Sequence, residues 1–410
     1  MSRPRSPTLS WPGRAEAEAR AAAPGAALAP LTERHGGPST EPAGLVIRQD
    51  NRDALSALLA AGEPPMDLIY ADPPFATGLT FTHKPTLGDT RHAADAFVDA
   101  FPGGLNGWLD VMYPRLVAMH AALAETGSLY LHLDANTVHH ARVLLDEIFG
   151  PACFQREIVW RIGWLSGFKT SARNWIRNHD TILYYVRTPG RATFNKAFLP
   201  HAPGYLRRDG KPPTGRGIPL DDVWNAQPAD VLDSIQIKSL STEKTGYPTQ
   251  KNEALLERII AASSAPGDRV CDPFGGSGTT AVVAHRLGRR FVSVDVGAAS
   301  LAVSRARLIN SGAAFTVHDA TTVDTDAGPY GLERRGEGLH VTSPPGAPAL
   351  DQVFVGPRAA ASMPFAPTHH VLRGRVSRGL DDVRLPTGAG GPLTVQLVDV
   401  DGRTRRVSLD

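Results

Sequence analysis

The chain of 410 residues has only two cysteines, Cys153 and Cys271, far apart and without a CxxC pair. A disulfide framework and a zinc finger are therefore excluded. It has no apolar run near the roughly 18 to 20 residues that span a bilayer, and it lacks a basic-then-apolar opening, so a soluble, cytoplasmic protein with no membrane partner is expected. Net charge is also nearly absent, at +2, and only its distribution informs about partners. Between residues 155 and 216, twelve Arg or Lys stand against three acids, with Trp160, Trp164, Phe168, Trp175, Tyr184, Tyr185 and Tyr205 among them. That mixture suits phosphate neutralisation and base stacking, and it equally describes a solvated charged face over buried aromatics. Arg161, Lys169, Arg173 and Arg177 are its candidate nucleic-acid contacts.

Residues 1–43 are rich in Ala, Pro, Gly, Arg and Ser with no sustained period, a composition that predicts disorder. From residue 44 to about 312, strand signals such as "LVIRQ", "DLIYA", "GSLYLHLD", "DRVCD" and "RRFVSVDV" alternate with amphipathic helices. This rhythm argues for a mostly parallel central sheet covered on both faces. Residues 313–380 read as a linker, and within 381–410 "LTVQLVDVDGRTRRVSL" reads as a hairpin turning at Asp401-Gly402.

Two constellations carry chemistry. "CDPFGGSGTT", residues 271–280, ends a strand in an acid and opens a helix through small residues, and Asp295 closes the following strand. This describes a nucleotide-type pocket without the lysine of a phosphate loop. Asp295 suits two ribose hydroxyls, of a nicotinamide cofactor as well as of S-adenosylmethionine, or else caps the next helix. The second is "DLIYADPPFATG", residues 67–78. In an open α/β sheet ligands bind at the carboxyl ends of strands. There Asp72 and the fixed carbonyls of Pro73 and Pro74 offer acceptors, and Phe75 offers a ring face. Two acceptors beside a ring describe a clamp for a planar base with an exocyclic amine; the plain alternative is a proline-rich turn over a core Phe. His132, His139 and His140 lack an acid at ligand spacing, so no metal site is expected.

"DPPF" resembles the catalytic motif of amino-DNA methyltransferases, "DPFGGSGTT" resembles their cofactor motif, and "TEKTGYPTQKNEALLERII" (242–260) is similar to the segment preceding that motif in the β-group. The catalytic motif comes first and the cofactor motif some 200 residues later, as in that permuted group. The resemblance, over about 44–312, implies a permuted Rossmann-like S-adenosylmethionine-dependent methyltransferase fold acting on double-stranded DNA. It implies Asp72, Pro73, Pro74 and Phe75 as catalytic. It assigns Asp50, Thr249, Lys251, Asp272, Phe274, Gly276, Gly278 and Asp295 to the cofactor. The implied product is N6-methyladenine, with cytosine N4 as the alternative, and the kinship also admits a homodimer, a restriction endonuclease partner, or a catalytically silent DNA-binding protein. A nicotinamide-dependent oxidoreductase lacks its His or Tyr-Lys arrangement here. "TSPPG" (342–346) has no ring after its prolines and reads as linker.

Overall fold

The computed structural model describes residues 7–36, 40–83, 86–87, 90–91, 94–161, 173–226, 230, 232, 243–320, 329–335, 338–342, 350–357, 364–372, 382–384, 392–399 and 402–409. Lys169, Trp164, Phe168 and residues 343–346 of "TSPPG" lie outside the described residues.

A ten-stranded sheet organises the molecule. Its strands in chain order are β1 (Leu31–His35), β2 (Gly44–Arg48), β3 (Met66–Ala71), β4 (Leu123–Leu133), β5 (Phe154–Arg161), β6 (His179–Val186), β7 (Val223–Trp224), β8 (Arg269–Asp272), β9 (Arg290–Asp295) and β10 (Phe315–Asp319). In space the order is β1-β10-β2-β9-β8-β3-β4-β6-β5-β7. The run from β10 to β4 is parallel throughout, while β1 and β6 oppose their neighbours. Near-continuous apolar strands such as β3 and β4 are what a sheet buried on both faces demands.

The helices are α1 (Arg14–Ala22), α2 (Asn51–Ala60), α3 (Leu105–Ala122), α4 (Val138–Phe149), α5 (Glu253–Ser263), α6 (Thr279–Arg286) and α7 (Ala298–Asn310). One core joins α1 to α4 with one face of the sheet, and a second joins α5, α6 and α7 with the other. As the permuted order implies, β2 pairs with β9, Val46 opposite Ser293.

Two expectations fail. The sequence predicts disorder for 1–43, yet α1 packs on α3 and β1 adds an edge beside β10. The stabilising partners lie far away in the chain: the Trp11 indole donates to Asp110 Oδ1 at 2.7 Å, and Arg14 pairs with Glu147. Composition cannot register such contacts. The predicted linker 313–380 instead begins with β10 and continues into β11 (Gly331–Arg335), β12 (Gly338–Thr342), β13 (Leu350–Pro357) and β14 (His369–Leu372). With β15 (Asp382–Arg384), β16 (Leu393–Asp399) and β17 (Thr404–Leu409), strands β11 to β14 form two small sheets; β16 and β17 pair antiparallel, and Asp401 of the expected turn lies outside the described residues.

The C-terminal sheets are tied to the main domain through buried polar groups. Glu33 of β1 accepts from Arg305 of α7 and from Gln396 of β16, each at 3.0 Å, and Gln352 of β13 donates to the Ala302 carbonyl at 2.7 Å. Burial opposes the Glu33 charge, yet Arg305 and His35 bring its carboxyl down to about 2. Buried charges persist only when paired in this way.

Candidate active site

Parallel strands end on the same side, and four of the central ones end in or next to an acid. Following the sheet, these are Asp50 after β2, Asp295 on β9, Asp272 on β8 and Asp72 after β3. All four line one cavity of about 440 Å³. Phe75, Thr249, Lys251, Phe274 and Gly276 line it too, so the two motifs, 200 residues apart, share a single chamber.

On the β8 side the acids are occupied by backbone. Asp272 accepts from Phe274 N at 2.9 Å and from Thr280 Oγ1 at 2.5 Å. Burial pushes its carboxyl up to about 7 despite those bonds. Asp295 accepts from Gly276 N at 2.9 Å and Gly297 N at 2.7 Å, and burial raises its pKa as well. Asp50 caps α2 through Arg52 N at 3.0 Å and pairs with Arg115 of α3. Asn51 is buried beside it; its Nδ2 donates to the Pro273 carbonyl at 2.7 Å, while Oδ1 has no partner among the described residues.

Gly278 does not line the cavity. It sits at φ 74° as the N-cap of α6, and a Cβ there would come within 2.7 Å of Ser304 Oγ. Its lack of a side chain lets α7 approach α6.

On the β3 side the acceptors are left open. Asp72 Oδ2 pairs with Lys251 Nζ at 2.6 Å, but Oδ1 is buried without a hydrogen-bond partner among the described residues. No donor meets the Pro73 carbonyl among those residues either. The turn itself is held firmly: the Trp108 indole donates to the Pro74 carbonyl at 2.8 Å. Asp99 receives Ala76 N at 2.7 Å, Thr77 N at 3.1 Å and Thr77 Oγ1 at 2.6 Å. Ala76 takes the left-handed φ of 58° between them, a strained geometry sustained by its surroundings. Phe75 is partly buried, and Lys251 Nζ lies 5.5 Å from its ring centroid. Lys251, assigned to the cofactor by resemblance, therefore stands against the Asp72 carboxylate.

A model of the DNA methylase family matches residues 66–304. The chain belongs to the DNA methylase family. A DNA adenine methyltransferase of Escherichia coli (strain K12), YhdJ, is 30% identical over 266 residues, covering 62% of this chain and 80% of the relative. The type II methyltransferase M.EcaI of Enterobacter cloacae is 29% identical over 310 residues, covering 61% of this chain and 66% of the relative. The crystal structure of the M1.HpyAVI–SAM complex aligns at TM-score 0.43 with 20% identity, covering 65% of this chain and 98% of that one.

The methylase divides the basic aromatic segment in two. Trp160, Tyr184 and Tyr185 are core residues, whereas Trp175 is 98% exposed and Tyr205 half exposed. Arg161 and Arg173 are exposed. Arg177 is exposed as well but engaged, pairing with Asp180 and lying 3.5 Å from Asp134 Oδ2. Sequence reasoning misses Tyr70, Asp99, Trp108 and Asp180 because each acts through a partner that only the fold brings beside it. Position offers one clue, since Asp99 and Trp108 both follow the motif before β4, the next strand of the central sheet.

No helix among the described residues is long and apolar enough to cross a membrane.

Proposed function

We propose that this DNA methylase transfers a methyl group from S-adenosylmethionine to the exocyclic amine of a flipped adenine in double-stranded DNA. The observation that carries this reading is the pair of unmet acceptors, Asp72 Oδ1 and the Pro73 carbonyl, beside the Phe75 ring. Burying an acceptor without a partner costs about 1–3 kcal/mol, and a two-hydrogen amine would satisfy both.

The residues present fit the cofactor. Its positive charges match a cavity walled by Asp50, Asp72, Asp272 and Asp295, and the orphaned Asn51 Oδ1 is a further acceptor for its donors. Asp50, Thr249, Asp272, Phe274, Gly276 and Asp295 would hold it. When bound, S-adenosylmethionine supplies a methyl group made electrophilic by a sulfonium.

The amine is a poor nucleophile because its lone pair is delocalised into the ring. Accepting both N–H groups at Asp72 and Pro73 draws the nitrogen toward sp³ and frees that pair. Phe75 stacks on the base and offsets part of the unstacking cost. Trp108 and Asp99 keep the acceptors fixed, which lowers the barrier through orientation.

Exposed Arg161, Arg173 and Trp175 support a DNA-contacting surface next to β6. The adenine preference is supported by the similarity to an adenine methyltransferase; cytosine N4 presents the same two-hydrogen amine. A homodimer and a restriction endonuclease partner complete the proposal, the latter in keeping with similarity to type II methyltransferases. A DNA substrate likewise supports a cytoplasmic location.

The test is incubation with labelled S-adenosylmethionine and DNA, followed by digestion to nucleosides. Label in N6-methyladenosine is expected. Label in N4-methylcytosine would transfer the activity to the other base, and no label would sink it. DNA binding should weaken steeply with salt, and Trp175→Ala should lose about 1–3 kcal/mol of single-strand affinity.

A further inference from the structure

We propose that His132, backed by Asp180, receives through Asp72 the proton that the target amine gives up on methylation. This rests on the methyl-transfer reading above and adds the destination of the proton.

His132 lies on β4, one strand over from Asp72, and is completely buried. Its Nδ1 is 2.9 Å from the Tyr70 hydroxyl and 3.9 Å from Asp72 Oδ1, the unmet oxygen. On the far side, Nε2 lies 3.4 Å from Asp180 Oδ2. Trp160 meets the ring edge-on at 5.5 Å and Phe75 lies 6.0 Å away, so the imidazole sits directly behind the base clamp.

Charges around the ring fix its tautomer. Burial and the nearby charges of Asp72, Asp272 and Asp180 push the Tyr70 phenol well above its usual range, so it keeps its proton and can donate to Nδ1. Burial opposes the Asp180 charge, but the hydrogen bond to His132 and nearby positive charges, Lys251 and Arg177 among them, hold its carboxyl below the usual range. An ionised Asp180 takes the Nε2–H. With the Nε2–H on Asp180, Nδ1 keeps one lone pair, which receives the Tyr70 hydroxyl at 2.9 Å, so that hydroxyl must turn aside for Nδ1 to take a proton from Asp72.

Methylation forms a C–N bond and breaks the methyl–sulfur bond, whose electron pair stays on sulfur. The amine nitrogen is left positive with one proton too many. That N–H breaks, its electron pair returns to nitrogen, and the proton passes to Asp72 Oδ1. Asp72 relays the proton, its other oxygen already facing the Lys251 ammonium at 2.6 Å. As a class, imidazoles bind a proton more tightly than carboxylates do. The 3.9 Å gap is of the kind that closes when substrate tightens a site. The resulting imidazolium is stabilised by Asp180, and its proton passes to water once product leaves.

The first test uses nitrogen-15 NMR of histidine-labelled protein without cofactor, with His132→Gln assigning the signal. A neutral Nε2–H tautomer at pH 7.5 is expected; the Nδ1–H tautomer would overturn the relay. Second, single-turnover transfer is measured against pH for wild type, His132→Gln and Asp180→Asn, alongside S-adenosylmethionine and DNA affinities. The wild-type rate should rise with pH through the imidazole range. His132→Gln should lose tenfold or more and lose that rise while both affinities hold, and Asp180→Asn should move the rise. A His132→Gln enzyme slower than wild type but with an intact pH rise would reduce His132 to a packing residue and defeat the proposal. Should His132→Gln not fold, an unmoved rise in Asp180→Asn defeats it equally. Wild type that transfers no methyl to DNA defeats the underlying reading and the relay together, whereas an active wild type matched by His132→Gln defeats the relay alone.

Discussion

Two Asp-Pro turns leave adjacent parallel strands of this methylase, "DPPF" after β3 and "DPFG" after β8, and they differ in what their polar atoms are given. Each has a buried side chain donating to a proline carbonyl: Trp108 to Pro74 in the first, Asn51 to Pro273 in the second. Asp272, however, has both oxygens engaged by its own loop and helix, while Asp72 keeps one oxygen empty. Near-identical local sequence thus gives a framework in one case and a reactive site in the other. Satisfaction of acceptors, rather than the motif, separates them.

Exchanging acceptors for inert groups should break that contrast most sharply at Asp72. Asp72→Ala is expected to lower methyl transfer by about 10³-fold with S-adenosylmethionine affinity retained, measured by single-turnover transfer and calorimetry. Equal losses of transfer and cofactor affinity would mean that Asp72 belongs with the framework. Next come the paired donors. Trp108→Phe leaves the Pro74 carbonyl unmet, and transfer should fall about tenfold through a loosened clamp. Asn51→Ala should instead weaken cofactor binding, by about 1–2 kcal/mol. If both substitutions hit the same step, the two turns do not divide the work.

The smallest effect concerns Asp272 and pH. With its carboxyl raised to about 7 from 3.8 in the unfolded chain, the folded state binds more protons between those values. Its stabilising contribution is complete below about pH 4 and is lost as pH rises through 7. Asp272→Asn should flatten this part of the thermal stability profile, so that the variant gains a few degrees on wild type at pH 8 relative to pH 5. An unchanged slope would place the source of any such trend elsewhere.

The catalytic side of the fold was legible because its signals are local. "DLIYA" and "DRVCD" announce buried strands, and their terminal acids mark the sheet edge where β3 and β8 indeed place them. What escaped the sequence depends on long-range partners. Trp11 and Ala17 are buried by α3 and its surroundings, so a compositionally weak segment folds. Gly278 looks like part of a ligand loop, yet its requirement comes from Ser304 of a later helix. Arg177 reads as a free cation until β6 brings Asp180 beside it. Asp99 and Trp108, which hold the turn of the clamp, follow the motif in the chain but carry no pattern of their own.

The pairing of β2 with β9 and β10 has a consequence for how the chain is made. Val46 meets Ser293 and Val317, so an early strand must wait for partners translated more than two hundred residues later. At about 5–20 residues per second its hydrogen-bonding edges stay open for roughly ten seconds or more on the ribosome. Such non-local closure is slow and exposes strand edges to wrong partners. In this methylase the wall holding Asp50 and Asp295 thus forms only once β9 and β10 have been made, and competence for the cofactor waits for them.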